Sequence, residues 1–81
     1  MTVCQAVSKR IKDLLKEKRM TQYRLEKKSN VLHGSLNCIM RCKNKTVNLN
    51  TIMMIAKGFD MSVLEFLNDP VFFSEELEIE Y

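Results

Sequence analysis

One stretch of the chain concentrates the side chains able to do chemistry: His33, Ser35, Asn37, Cys38, Arg41, Cys42, Lys43 and Lys45. An Asn amide sets a donor beside an acceptor, the pattern that pairs with adenine, and an imidazole can donate to guanine or to phosphate. Arg41, Lys43 and Lys45 form a cationic cluster that either grips a polyanion or is simply a solvated loop. Cys38 and Cys42 are four apart, so on a helix their sulfurs could approach each other. With His33 they also offer metal-ligand atoms. His33 and Cys38 are five apart and off one helical face, however, and a fourth ligand is missing where structural zinc takes four, so no metal is expected. There is no Ser/His/Asp set, no phosphate-cradling glycine loop and no pair of acids at a cleft. Neither an enzyme nor a cofactor is expected.

These residues need a scaffold, and 81 residues make one small domain. A chain this short buries only about 60–65% of its unfolded surface, which leaves little room for a deep substrate cavity. It holds two Gly and one Pro, too few for the turns of a sandwich or barrel, so the expected class is all-α. No apolar run is long enough to span a membrane. The start, MTVCQAVSKRIK, lacks the basic-then-apolar order of a secretory signal, and an odd set of three cysteines suits a reducing compartment, so a cytoplasmic protein is expected. Charge is polarised. Residues 1–46 carry twelve Lys/Arg against three Asp/Glu (+9), and residues 47–81 carry one against seven (−6). The basic half attracts polyanions and the acidic half is expected to face away from them.

Local signals predict five helices over residues 1–69. Thr2 with Gln5 forms a capping box for a first helix ending near Lys18. Its inner stripe is Val3, Val7, Ile11, Leu14 and Leu15, and Lys9, Arg10, Lys12 and Lys16 lie largely on the outer side. Thr21 caps a second helix over Gln22–Lys28 with Leu25 inward, and Asn30 can take the left-handed conformation that turns the chain. A third runs from Leu32 or His33 to Arg41 on Leu36 and Ile39. Asn48 caps a fourth, with Leu49, Ile52, Met53, Ile55 and Ala56 as its apolar face and Gly58 weakening its last turn. Ser62 with Glu65 opens a fifth, and Pro70 stops it. Residues 70–81 form a short acidic-apolar tail in which Leu77, Ile79 and Tyr81 alternate with Glu76, Glu78 and Glu80. It is expected to pack on its own domain or on a partner subunit.

Two short helices joined around a left-handed residue make a helix-turn-helix. The second fits a major groove about 12 Å wide, and the first anchors its N-terminus on phosphate. The stretch MTQYRLEKKSNVLHGSLNCIMRCK, followed by NLNTIMMIAKGFDMSVLEFL, resembles the Cro/lambda-repressor-type (XRE-like) regulators. The matches are Thr21-Gln22, Leu25, Val31, Leu36, Ile39 and Lys43, then Leu49, Thr51, Ile52, Ile55-Ala56-Lys57 and Ser62-Val63-Leu64-Glu65. The resemblance implies a lambda-repressor-like fold and a small transcriptional regulator, a repressor, bound to double-stranded DNA as a homodimer. It places His33, Gly34, Asn37 and Cys38 at base edges, and Gln22, Ser35, Arg41, Lys43 and Lys45 on phosphates. Asn30 replaces the usual turn Gly, Met40-Arg41-Cys42 replaces a common Glu, polar residue and Gly, and three further residues depart from the family pattern. Glu26 replaces a usual Ala and is expected to tilt outward or loosen the packing, Leu32 replaces a Ser cap, and Gly34 offers no side chain. These favour the alternative, a protein-interaction adaptor or antitoxin-like module on the same scaffold.

Overall fold

Helices begin where a side chain can accept from an otherwise unpaired backbone N–H. In the computed structural model, which describes residues 1–79, Thr2 Oγ1 accepts from Gln5 N at 3.2 Å while Gln5 Oε1 accepts from Thr2 N at 2.9 Å, opening α1 (Val3–Glu17). Thr21 accepts from Arg24 N to open α2 (Gln22–Ser29), and Asn48 accepts from Thr51 N to open α4 (Leu49–Gly58). The Ser62/Glu65 box opens α5 (Val63–Leu67). Helix α3 (His33–Met40) is the exception, since Leu32 supplies no capping hydrogen bond. Its start is set instead by the turn before it, where Asn30 is left-handed (φ 63°) and Val31 is buried.

A sixth helix, α6 (Pro70–Phe73), stands where a tail was expected to begin. Pro70 ends α5 and also begins α6, because a missing N–H costs nothing in a first turn; Asp69 caps it by accepting from Val71 N. The tail beyond forms one parallel bridge, Thr2 to Glu78, and no strand among the described residues. Glu78 N donates to the Met1 carbonyl at 2.9 Å, so the acidic end returns to the N-terminus of its own domain. The alternation expected at Glu80 and Tyr81 lies outside the described residues.

One core serves all six helices of the described residues. Val7, Ile11 and Leu14 of α1, Leu25 of α2, Leu36 of α3 and Ile55 of α4 are fully buried with Phe59 and Phe66. Phe72 of α6 packs against this core, its ring 6.2 Å from that of Phe66. Leu49 and Met53 stay exposed, because the buried row of α4 is Ile52, Ile55, Ala56 and Phe59, and residues 49 and 53 fall to its flank. Ser8 Oγ donates to the Met40 carbonyl at 2.9 Å and ties α1 to the end of α3. Arg10 turns into the domain rather than outward. Its guanidinium donates to the Phe66 and Glu65 carbonyls and to Asp69 at the end of α5.

Lys28 at the end of α2 donates to Asp60 Oδ2 at 2.7 Å, across to the turn after α4. That hydrogen bond holds the Asp60 carboxyl below the usual aspartate range. A lowered folded value stabilises above the ordinary aspartate value, and the gain is lost as pH falls through the folded one. Asp60→Asn keeps a residue tolerant of the left-handed region that position 60 occupies (φ 60°). The unsubstituted chain is therefore expected to melt higher than Asp60→Asn at neutral pH, with the gap closing in acid. A gap that persists in strong acid would assign the effect to the turn backbone instead.

Candidate nucleic-acid interface

The turn of this helix-turn-helix sets what α3 shows to solvent. Leu36 and Ile39 face the core, and the 3.6-residue period carries His33, Gly34, Asn37 and Cys38 round to the opposite side. His33 and Gly34 are exposed, Asn37 and Cys38 half-buried. Gly34 has helical, not left-handed, backbone, and an added Cβ would meet nothing within 4 Å. Gly34→Ala is therefore expected to raise stability by about 0.5–1 kcal/mol in urea denaturation. A loss instead would mean that the first turn of α3 is more crowded than this geometry allows.

Beside that face lies a recess of about 270 Å³, lined by Gly34, Ser35 and Cys38 of α3, by Asn44 and Thr46 of the following loop, and by Asn48 and Thr51 at the start of α4. In sequence Asn48 reads only as a cap, and Asn44, Thr46 and Thr51 are not among the site candidates. Asn48 Oδ1 accepts from both Thr51 N (2.8 Å) and Thr51 Oγ1 (2.9 Å), so the cap also orders the polar wall. The i,i+3 spacing of Asn48 and Thr51 was the available signal.

The basic candidates are divided. Lys43 and Lys45 line a second recess with Thr2, Gln5 and Cys42, whereas Arg41 opens toward Lys9 and Lys12 of α1. Among the described residues, none of Arg41, Lys43 and Lys45 forms an ion pair, while Lys9, Arg10 and Lys28 pair with Asp13, Asp69 and Asp60. Lys9, Arg10 and Lys28 are thus engaged by carboxylates of the chain itself, whereas Arg41, Lys43 and Lys45 are not. The acidic end at Glu78 bridges to Thr2, a wall of the Lys43/Lys45 recess, so the acidic segment does not lie wholly apart from the basic loop. Cys38 and Cys42 line different recesses. Helix α3 ends at Met40 and Cys42 is left-handed (φ 53°), so the helical i,i+4 approach of their sulfurs does not arise.

Glu26 neither tilts out nor loosens the packing. Its side chain is 11% exposed, and Oε2 lies 2.7 Å from His33 Nδ1 and accepts from Gln22 Nε2 at 3.4 Å. Gln22 and Glu26, four apart, share one face of α2, and that spacing was the readable sign of the contact.

A family model for the Cro/C1-type HTH DNA-binding domain matches residues 10–70, most of the chain. The chain belongs to this family. No curated protein and no solved structure matches it. As a Cro/C1-type domain it binds double-stranded DNA, and the all-α architecture of six helices among the described residues agrees with the lambda-repressor-like fold. The matched span starts at Arg10 and ends at Pro70, so it takes in the α5 end that Arg10 caps. No helix among the described residues is long and apolar enough to cross a membrane.

Proposed function

We propose that this Cro/C1-type domain is a sequence-specific transcriptional regulator, acting as a repressor, that lays the outer face of α3 in the major groove. The observation that carries this reading is the outer face of α3, with His33 and Gly34 exposed, beside a loop whose Lys43 and Lys45 are unpaired among the described residues. His33, Gly34, Asn37 and Cys38 sample base edges. Gln22, Ser35, Arg41, Lys43 and Lys45 hold phosphates and set register. One such module buries only about 600–1,000 Å² on DNA, so a homodimer on half-sites about 34–36 Å apart suits the task. Leu64, Leu67 and Phe73, which line one shallow apolar surface across α5 and α6, support the dimer reading. The regulator acts without a cofactor or a catalytic step.

Duplex binding across a salt series tests the reading. Affinity should fall with a log–log slope of about −0.9 per phosphate neutralised. Replacing Lys43 and Lys45 together by Ala should reduce that slope by about 2 and weaken every sequence alike. Asn37→Ala should relax one base pair by about 1 kcal/mol or more and spare the rest. A chain that binds no duplex at moderate salt is instead an adaptor or antitoxin-like module that recognises protein.

A further inference from the structure

DNA binding does not by itself account for a shielded acid next to an exposed base-reading candidate. Glu26 is 11% exposed and His33 74%, with Glu26 Oε2 at 2.7 Å from His33 Nδ1. A carboxylate oxygen accepts and cannot donate, so this contact needs the imidazole proton on Nδ1. The two ring nitrogens point in diverging directions, and holding Nδ1 against an inner acid leaves Nε2 facing outward from the first turn of α3. In the neutral ring Nε2 then carries a lone pair and accepts. We propose that Glu26 is a positioning residue for base selection: it holds His33 in the Nδ1–H form, so that the neutral imidazole takes a base edge bearing an exocyclic amino group, adenine N6 or cytosine N4. This rests on the duplex-reading function above.

The assignment is opposite to the default chemistry of the residue. An unrestrained neutral imidazole can carry its proton on Nε2 and donate to guanine O6 or N7. Glu26 removes that option while the ring is neutral. A second proton restores it, because the imidazolium donates from both nitrogens. The charged groups around the ring are few. Glu26 and Lys27 of α2 line its recess, and α3 adds only the thiol of Cys38 among titratable side chains after His33. Lys27 is drawn over the Tyr23 ring, 5.2 Å from its centroid. Glu26 Oε2 also accepts from Gln22 Nε2, so one carboxylate orients a base-edge candidate and a phosphate candidate together.

Nitrogen NMR of the imidazole in the full chain reads the tautomer with no DNA present. The Nδ1–H form is expected in the unsubstituted chain, the Nε2–H form in Glu26→Ala, and a mixture in Glu26→Gln, whose amide can accept or donate. An Nε2–H ring in the unsubstituted chain, or an unchanged tautomer in Glu26→Ala, overturns the proposal. Selection from a random duplex pool then reads the consequence. Removing a carboxylate raises affinity for all duplexes, so the readout is the ratio between sequences. The preference for adenine or cytosine at one base pair should shrink by roughly three- to tenfold in Glu26→Ala. Unchanged preferences with a shifted tautomer overturn the base-selection role alone. Absence of any salt-sensitive duplex binding overturns the functional reading, and this proposal with it.

Discussion

Arg10→Ala is expected to destabilise the domain by about 2–4 kcal/mol, the largest effect of any single cation in the chain. The side chain is 12% exposed, and its guanidinium serves three acceptors at once. Nε donates to the Phe66 carbonyl at 2.8 Å, Nη2 to the Glu65 carbonyl at 3.0 Å and Nη1 to Asp69 Oδ2 at 3.2 Å. Helix α5 is only five residues long, so its last carbonyls have no partners within it, and a cation there also meets the negative end of the helix dipole. The group further sits 5.8 Å from the centroid of the Phe66 ring. Alanine leaves the part-buried Phe66 carbonyl without this donor and Asp69 Oδ2 without its cation, while the Glu65 carbonyl keeps Asn68 N–H. For a domain of this size the loss corresponds to a fall in melting temperature of roughly 10–25 °C. Arg10→Lys should recover only part of it, since one ammonium cannot match a planar fork. Because Arg10 is taken up inside the fold, the fraction of Arg10→Ala that remains folded should bind duplex as the parent does. A variant of unchanged stability that binds DNA poorly would return Arg10 to the interface.

Gly58→Ala is expected to cost about 2 kcal/mol, although alanine is the better helix former by about 1 kcal/mol. The sign follows from what the new methyl would meet. An ideal Cβ at Gly58 lies 2.8 Å from Ser29 Cβ, 3.0 Å from Leu25 Cδ1 and 3.1 Å from Ser29 Cα. Leu25 can shift its terminal methyl, but Ser29 cannot withdraw. It is buried at the end of α2, its Oγ accepts from Val31 N at 3.2 Å, and Asn30 beside it makes the left-handed turn. The strain therefore falls on the turn that aims α3. Ser29→Gly in the Gly58→Ala background should recover part of the loss, a coupling that a double-mutant cycle in urea can measure. If Gly58→Ala proves more stable than the parent, α2 and α4 do not approach this closely.

These two residues also mark where reading the sequence stopped. Gly58 reads locally as a weak point in a helix, and its use as a contact surface for Ser29 exists only once α2 lies on α4. Arg10 reads as one cation in an outer basic row, and only the arrival of α5 after more than fifty residues converts it to a cap. Glu26 is a third case. Its neighbours Gln22 and His33 lie four and seven positions away, yet the expectation that it must tilt out assumed that no partner waits at the start of α3. The α6 helix went unread for a different reason. Proline reads as a stop, whereas in a first turn it is equally a start.

By itself the amino-acid order determined the helix starts at Thr2, Thr21, Asn48 and Ser62, the left-handed turn at Asn30 and the basic bias of residues 1–46, because caps, turns and charge depend on neighbours within a few residues. It also determined which side of α3 is apolar, since helical period alone separates Leu36 and Ile39 from His33, Gly34, Asn37 and Cys38. Tertiary structure decided which cations remain open, where the acidic end comes to rest and which nitrogen of His33 is tied inward. Those outcomes depend on groups that meet only when distant helices pack, and a pattern of short-range preferences carries no record of that meeting.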